Sequence, residues 1–530
     1  MFKKILISLL ILFSVFFYLI PTVSAAQETV YADGGTVKNY EELFNALGGE
    51  SAVSIKYDKN DSSVITHIQI YKDIILKNPL IVTGGEYVIY GSGSRVTFGF
   101  EKGDLITVSG ENTKLKLGNP NGGDKDDTVF TANNSNRNGS FLHVENGASA
   151  EIFYGTVFKD ILNSSSGGAI VNDGKLTLYD CDISNCRSVG SGGAIYNRSE
   201  LIVAKAAIKN CSSDLGGAVF SEGDATFISL EISECNALKG GAIYNSGSIK
   251  FGSSSVNSCS ASEGGGVYNN GSFEMIGGSI SGCESEGGTG GGIYNTKTLK
   301  LSSGNVDGNS AENGGNIYNG GTLELENRIN VNEGKAGLSG GNIYNTASGQ
   351  INLTGGNITL GTAENGGGIY NLGEIIISGG NISANKADVG SGILNHGKAR
   401  LSKSGYVDPK NDFFAVLSEE NIHALYINSD WIYDRQVIAL SCGRYDNGSY
   451  SYDNAVGSVV VINNSDADIS KRFSVYKNES LIINQKGIIS KAQAKVSKTV
   501  IYIAVIAVAF VLTVTVMVTV IRFIDRRKEN

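Results

Sequence analysis

A six-residue pattern, Gly-Gly-small-Ile-Tyr-Asn, recurs through the middle of this chain and limits the folds that it can adopt. Copies of the pattern end at Asn172, Asn197, Ser221, Asn245, Asn269, Asn295, Asn319, Asn345, Asn371 and Asn395, the first, third and last being degenerate. Successive ends are separated by 25, 24, 24, 24, 26, 24, 26, 26 and 24 residues. Internal periods of roughly 20–50 residues are typical of solenoids and propellers, in which each repeat packs against its neighbours.

A second motif, Ile/Val-x-x-Cys/Asn, keeps the same period and precedes each glycine pair. Its last position is Cys in five copies and Asn in three: Cys186, Cys211, Cys235, Cys259, Cys283, Asn309, Asn332 and Asn385. Between the two motifs lies a short alternating segment such as Leu176-Thr177-Leu178. Each repeat therefore holds three short period-two segments separated by turn residues, which predicts three strands.

Three strands in about 24 residues leave no room for a helix, and a propeller blade needs about 40 residues or more. The pattern predicts an all-β fold, a right-handed parallel β-helix in which coils stack at about 4.8 Å. We expect the Ile of each copy to form an apolar ladder inside the coil. The Asn two places further on should form a ladder of stacked amides.

The two ends of the chain differ in composition from the repeats. Residues 1–26 combine a basic start, an apolar run and small residues, which predicts a signal peptide, with an uncleaved anchor as the alternative. Residues 499–521 are apolar and are followed by basic residues, which predicts one transmembrane helix and an extracellular N-terminal region. We therefore expect a single-pass protein of the cell membrane.

The remaining segments are assigned by their pattern. A short amphipathic helix is predicted from Tyr40 to Leu47, and an insertion loop over 119–139. The predicted organisation is: 27–149, N-terminal cap and irregular first coils; 150–400, regular repeats; 401–490, C-terminal coils or a β cap; 491–498, linker; 522–530, cytoplasmic tail.

The tyrosine of each copy is the candidate functional residue. Ile and Asn share one side of the strand, so Tyr and the small residue share the other. Asn316 and Asn342 occupy the small position and tolerate solvent better than a narrow core, which predicts that this side faces outward. The resulting stripe comprises Tyr196, Tyr244, Tyr268, Tyr294, Tyr318, Tyr344 and Tyr370. It could bind glycans or another protein; alternatively, the rings stack on one another and only rigidify the rod.

Composition argues against several other kinds of site. The net charge of −9 gives no basic footprint for nucleic acid. Four scattered histidines and the absence of Cys-x-x-Cys give no basis for a metal or another cofactor. The cysteines of the second motif form a column that we expect to hold buried thiols, because parallel ladder side chains fit disulfide torsions poorly; a disulfide remains the alternative for a secreted chain.

Carboxylates require separate consideration, because glycosidases use a pair of acids. Asp180 and Asp182 flank Cys181 and would share a face of their strand. The repeated positions carry no acidic ladder. A catalytic role for this pair is therefore the minor alternative.

The Gly-Gly-Ala-Ile copies and the Ile-x-x-Asn/Cys copies resemble the repeats of chlamydial polymorphic outer-membrane proteins, and are similar to adhesin-like β-helix proteins of bacteria and archaea. The likeness covers about residues 150 to 400. Those families use Phe-x-x-Asn where this chain has Ile or Val, and often Cys instead of Asn. The resemblance implies adhesion or surface display.

Three functions follow from the sequence as hypotheses. The leading one is a non-enzymatic, adhesin-like surface protein whose rod binds glycans or proteins of a host or neighbouring cell. The second is a membrane-tethered polysaccharide lyase or glycoside hydrolase. The third is a structural surface spacer.

Overall fold

The computed structural model describes residues 36–37, 40–57, 60, 65–91, 93–120, 128–133, 136–417, 423–432, 437–446, 448–464, 468–492 and 498–528. The predicted signal peptide, 1–26, lies outside the described residues. The described residues form a parallel β-helix of about 14 turns, which confirms the predicted fold class at that level.

Each regular coil adds one strand to each of three parallel faces. The tyrosine face consists of Thr36–Val37, Leu80–Thr83, Ile106–Ser109, Leu142–Val144, Ile170–Asn172, Ile195–Asn197, Val219–Ser221, Ile243–Asn245, Val267–Asn269, Ile293–Asn295, Ile317–Asn319, Ile343–Asn345, Ile369–Asn371, Ile393–Asn395, Asp412–Val416, Ile438–Asp446 and Phe473–Val475. Neighbouring strands of this face pair in parallel register, so that equivalent residues of successive copies lie directly above one another.

The other two faces are built in the same way. The leucine face consists of Ile65–Ile70, Glu86–Gly91, Lys114–Leu117, Ser149–Ile152, Lys175–Leu178, Glu200–Val203, Asp224–Phe227, Ser248–Phe251, Ser272–Met275, the first parts of Thr298–Asp307 and Thr322–Asn332, then Gln350–Leu353, Glu374–Ile377, Lys398–Leu401, Leu425–Ile427 and Val461–Asn463. The cysteine face consists of Ile74–Leu76, Arg95–Phe98, Thr128–Thr131, Thr156–Asn163, Cys181–Ser188, Ala206–Lys209, Leu230–Ser233, Ser255–Asn257, Ser279–Ser281, the second parts of the same two long strands, then Asn357–Thr359 and Asn381–Ser383. Shorter strands at corners are Asn136–Arg137, Glu284–Thr289, Ser310–Asn313 and Lys335–Ser339.

The first end of the rod is covered by a short helix, as the sequence predicted. The helix spans Tyr40–Ala46, and a 3-10 turn at Gly49–Ser51 leads into the strand Val53–Tyr57, which pairs antiparallel with the first leucine-face strand. Leu43 and Leu47 are buried in the continuous core. A stacked rod needs such a cover because its terminal coil would otherwise expose the apolar lumen.

The second end continues the coils beyond residue 401 and then closes with antiparallel strands. Ser449–Tyr452 forms a hairpin with the end of Ile438–Asp446. Leu481–Ile483 and Ile489–Lys491 add a further antiparallel pair. At this end the parallel pairing of the coils thus gives way to antiparallel pairing.

The insertion loop predicted over 119–139 is partly wrong. Thr128–Thr131 is a strand of the cysteine face, paired on both sides with neighbouring coils. Phe130 is buried and its ring stacks on Phe158 of the next coil at 5.1 Å. The burial of this aromatic side chain explains why a segment with loop-like composition joins the sheet.

The last helix spans Lys498–Lys528. A membrane span needs roughly 20 consecutive apolar residues. Among the residues that the structure describes, no helix is long and apolar enough to cross a membrane. The predicted helix over 499–521 is therefore present, but the prediction that it spans a membrane is wrong by this criterion.

Two ladders inside the coil confirm the expectations for the Gly-Gly-small-Ile-Tyr-Asn pattern. The Ile or Val of every copy from Ile170 to Ile393 is fully buried. The Asn of every copy is also fully buried, and each Nδ2 that has an Asn above it donates to the Oδ1 of that residue at 2.7–2.8 Å. Ser221 interrupts this ladder, and Asn395 ends it by donating to the carbonyl oxygen of His423 at 2.9 Å. These buried amides are stable because hydrogen bonds satisfy their polar atoms, with the Oδ1 of the first member, Asn172, as the exception.

The cysteine column consists of free thiols, as predicted. Cys186, Cys211, Cys235, Cys259 and Cys283 are all buried and unpaired by disulfides. Each thiol lies 3.3–3.4 Å from the carbonyl oxygen two residues before it. The thiols therefore act as small packing groups.

The sequence placed one member of this column wrongly. Asn309 follows Cys283, because the Cys283 N–H donates to its Oδ1 at 2.8 Å. Asn332, however, pairs with Asp307, and the column continues instead through Gly334. The side chain of Asn342 fills the space beside this glycine and accepts a hydrogen bond from its N–H at 3.0 Å.

The buried amide ladder generates a stability prediction. Asn295→Ala should lower the free energy of unfolding by roughly 2–6 kcal/mol, because two buried amides lose a partner and each unpaired buried group costs about 1–3 kcal/mol. The control is Asn330→Ala, which removes a member of an exposed amide ladder and should change stability by less than about 0.5 kcal/mol. Denaturant titrations monitored by circular dichroism measure both; equal losses would contradict the role assigned to the buried ladder.

Candidate binding surface on the tyrosine face

The seven tyrosines of the repeat form one ladder on the tyrosine face. From Tyr244 to Tyr370 each ring stacks on the next, with centroids 4.8–5.0 Å apart and planes within 17° of parallel. Phe220 fills the place between Tyr196 and Tyr244, at 5.1 and 5.0 Å from them. The stripe predicted from the sequence omitted Phe220, although Phe220 occupies the tyrosine position of its degenerate copy. The rings thus stack on one another, as the alternative interpretation of the stripe expected.

The rings lie on the outer side of their strands. In Ile293–Asn295, for example, Ile293 and Asn295 are buried and Tyr294 is half-buried. Tyr268 and Tyr370 are more covered, with 8% and 9% of their surface exposed. Because the faces of the rings cover one another, a ligand meets mainly the ring edges and the hydroxyl groups.

The prediction that the residues at the small position face outward together with the tyrosines is nevertheless wrong. Asn316 and Asn342, which stand at the small position, are fully buried. The Nδ2 of Asn316 donates to Oδ1 of Asn342 at 2.8 Å, and its own Oδ1 accepts from Nδ2 of Asn309 at 2.8 Å. The lumen accepts these amides because they pair with one another.

The glycine pair explains why the small residue and the tyrosine point in different directions. Gly240 has a φ of 65°, a conformation that L side chains rarely adopt. A Cβ on Gly240 would lie 2.2 Å from the carbonyl oxygen of Ile243. The chain thus bends sharply at this corner, and both Ala242 and Ile243 turn inward before strand alternation resumes at Tyr244.

Five hydroxyl groups of the ladder are free to bind a ligand. Within the part of the chain that the structure describes, those of Tyr244, Tyr268, Tyr294, Tyr318 and Tyr344 form no hydrogen bond. None of them is a buried unpaired atom, so they are accessible to solvent. Burial of the rings raises the pKa of Tyr294 and Tyr344 to about 12, and these hydroxyls therefore stay protonated at neutral pH.

The flanks of the ladder change along the rod. Beside Tyr294, Tyr318 and Tyr344 the two flanking columns are uncharged: Thr289, Asn313, Ser339 and Asn365 on one side, and Thr296, Gly320 and Thr346 on the other. Towards the first end, Lys239 pairs with Glu263 and its Nζ lies 4.9 Å from the Tyr268 ring centroid. The side chains directly beside the central tyrosines are therefore uncharged and rich in hydroxyl and amide groups. The nearest charge is the Glu263 carboxylate at the edge of this section, which adds to the effect of burial in raising the pKa of Tyr294 and Tyr318.

A hairpin closes the second end of the ladder. Tyr450, on Ser449–Tyr452, places its hydroxyl 2.7 Å from that of Tyr370. Its ring also packs edge-on against Phe414. Pattern analysis could not detect this contact, because Tyr450 lies outside the repeat.

A charged cluster lies on the tyrosine face before the ladder begins. His143 occupies the ladder column, and its two ring nitrogens lie 3.0 Å from Asp104 and 2.9 Å from Asp173. Arg198 binds Asp173 in turn, with Nη2 at 2.6 Å, and stacks its guanidinium over Tyr196. Because both nitrogens of His143 are occupied, the cluster is a clamp between coils and offers no free base.

Burial alone would lower the pKa of His143, but the hydrogen bonds and charges of Asp104 and Asp173 outweigh it and raise the pKa to about 9. The imidazole is therefore cationic at neutral pH. Its stabilising effect is complete below its ordinary pKa of 6.5 and is lost as pH rises through about 9.

The acids proposed for the catalytic alternative have a different environment. Asp180 forms an ion pair with Lys205, with Nζ to Oδ2 at 2.8 Å. Asp182 is exposed on the strand Cys181–Ser188. No group of three or more His, Cys, Asp or Glu side chains among the described residues is arranged to hold a metal ion.

Fold and surface together define a class: a parallel β-helical rod with a stacked aromatic ladder along one face. Comparison with known proteins adds no further assignment, since no family model, no curated protein and no solved structure matches the chain.

The clamp gives a prediction of pH dependence. His143→Gln should lower stability more at about pH 6, where the imidazole is charged in the folded protein, than at about pH 10, where it is neutral. The measurement is the difference in free energy of unfolding between variant and parent at both values. His67→Gln is the control, because burial lowers the pKa of His67 and no such alkaline loss is expected. A pH-independent difference for His143→Gln would refute the charged clamp.

Proposed function

We propose that this chain is a non-enzymatic, adhesin-like protein displayed outside the cell, and that its tyrosine ladder is the contact surface. The observation that carries the proposal is the row of five accessible and unpaired tyrosine hydroxyls on a rigid face. Stacking does not require these hydroxyls, because phenylalanine stacks equally well at this position, as Phe220 does. The hydroxyls therefore indicate a role beyond stacking.

The rigidity of the ladder supports a role in binding. Ordering a side chain at an interface costs roughly 0.5–1.5 kcal/mol for flexible residues. Here neighbouring rings already hold each tyrosine in place, so little further ordering is needed when a ligand binds. Tyrosine also combines apolar contact area with a polar tip, and is accordingly enriched at binding surfaces.

The position of the ladder supports display. The cover formed by Tyr40–Ala46 and the hairpin at Tyr450 leave the middle of the tyrosine face without a covering element among the described residues. The signal peptide predicted over 1–26 would direct this face to the exterior.

The proposal predicts that substitution of the central tyrosines abolishes attachment. The triple variant Tyr294→Ser, Tyr318→Ser, Tyr344→Ser removes the rings and hydroxyls of the central section while leaving the lumen unchanged. Binding of the purified full-length chain to an array of matrix proteins and glycans should be saturable for the parent and lost for this variant. A product assay on the same glycans should show no turnover.

A matched control uses three tyrosines away from the ladder: Tyr154→Ser, Tyr179→Ser, Tyr426→Ser. This variant should bind as the parent does, and circular dichroism should show that both variants fold. Equal binding by the parent and the ladder variant would refute the proposal. Released oligosaccharide would instead establish an enzyme and return attention to Asp180 and Asp182.

A further inference from the structure

We propose that the ligand of the ladder is a linear, uncharged, β-1,4-linked polysaccharide that lies along the rod with one sugar ring per coil. This inference rests on the proposed function and specifies its ligand. The observation that carries it is a row of free hydroxyls on rings spaced by the coil height, flanked directly by uncharged side chains.

Spacing is the first argument. The rings from Tyr244 to Tyr344 repeat at 4.8–5.0 Å, and the spacing is fixed because it is the distance between paired strands. An extended β-1,4-linked pyranose chain advances by nearly the same distance per sugar. Each coil can therefore place one tyrosine hydroxyl against one sugar. Opposite edges of the sugar ring face the row on alternate coils, because neighbouring sugars in such a chain are turned over relative to one another.

Other linear polymers do not keep this register. An extended polypeptide advances about 3.3 Å per residue, so its side chains drift out of step with the coils. Stacked nucleotides advance about 3.4 Å along a strand and carry one negative charge each. The chain has a net charge of −9, which disfavours a polyanion further.

Shape is the second argument. The ladder is one ring wide and several coils long. A stable protein interface buries about 800 Å² on each partner in a compact patch. A single extended polymer fits a narrow stripe better than a globular surface does.

Chemistry is the third argument. The side chains directly beside Tyr294, Tyr318 and Tyr344 offer hydroxyls and amides and are themselves uncharged. Sugar hydroxyls donate and accept hydrogen bonds, as do the free phenols and the flanking side chains. Because the ring faces are stacked on each other, recognition is by edges and hydroxyls, not by sugars stacked on open aromatic faces.

The experiment measures binding of β-1,4-linked oligosaccharides of glucose, N-acetylglucosamine, mannose and xylose, two to eight sugars long, to the purified full-length chain by calorimetry. At least one series should bind with an affinity that rises with each added sugar and levels off when the free hydroxyls are filled. The α-1,4-linked glucose series is the matched ligand control and should not show this rise, because its chain curves away from a straight row.

A conservative variant isolates the hydroxyls. Tyr294→Phe, Tyr318→Phe, Tyr344→Phe keeps the stacked rings and should bind at least about tenfold more weakly than the parent. The control Tyr154→Phe, Tyr179→Phe, Tyr426→Phe should bind as the parent does. Unchanged affinity of the ladder variant, or affinity that does not depend on chain length, would overturn the inference.

The outcomes separate this inference from the proposed function. If no β-1,4-linked series binds while array binding still requires the central tyrosines, the ligand class is wrong and the binding role stands. Binding only to a protein on the array, again dependent on those tyrosines, has the same meaning. If no binding depends on the tyrosines, both proposals fail.

Discussion

Parallel pairing between consecutive coils is the constraint on which the rest of the structure depends. Each strand of the tyrosine face has only three residues in the regular region, too few to be stable without neighbours above and below. Exact periodicity is not required, because steps of 24 and 26 residues both occur and the extra residues are absorbed at corners such as Glu284–Thr289. What must be kept is the register of the paired residues.

Register turns a short sequence pattern into long ladders of identical contacts. Inside the coil it places Asn above Asn, where each amide satisfies the next one. Outside it places Tyr above Tyr and fixes the ring spacing at the strand spacing. The binding surface is therefore a consequence of the same pairing that stabilises the lumen.

Much of this could be read from the sequence. The period predicted the coil, and the pattern predicted the buried Ile and Asn ladders, the thiol column and the stacked tyrosines. The burial of Asn316 could not be predicted, since strand alternation gives the wrong side when a glycine bend precedes it. The assignment of Asn332 failed because counting residues cannot locate a bulge, which here shifts the register between Leu301 and Ser303.

The parts of the site outside the repeat were also invisible to pattern analysis. The contact of Tyr450 with Tyr370 joins residues 80 apart in sequence, through a hairpin that no repeat copy contains. The clamp of His143 depends on Asp104 and Asp173, which stand on different coils and share no motif. Such contacts follow from the stacking of coils and become apparent only when the register is known.

Deletion of whole and half coils tests the central role of register most directly. Removing residues 270–295 joins Asn269 directly to Thr296. Because Asn269 is paired with Asn295, Thr296 then takes the place of Asn270, and every later residue stays on its own face. The account predicts that this shortened chain folds cooperatively, with circular dichroism of the parent type and a denaturation midpoint close to that of the parent. Removing only 270–282 should leave the faces mismatched and prevent folding of the regular coils. If the half-coil deletion folded as well as the full-coil deletion, register would not be the constraint that holds this protein together.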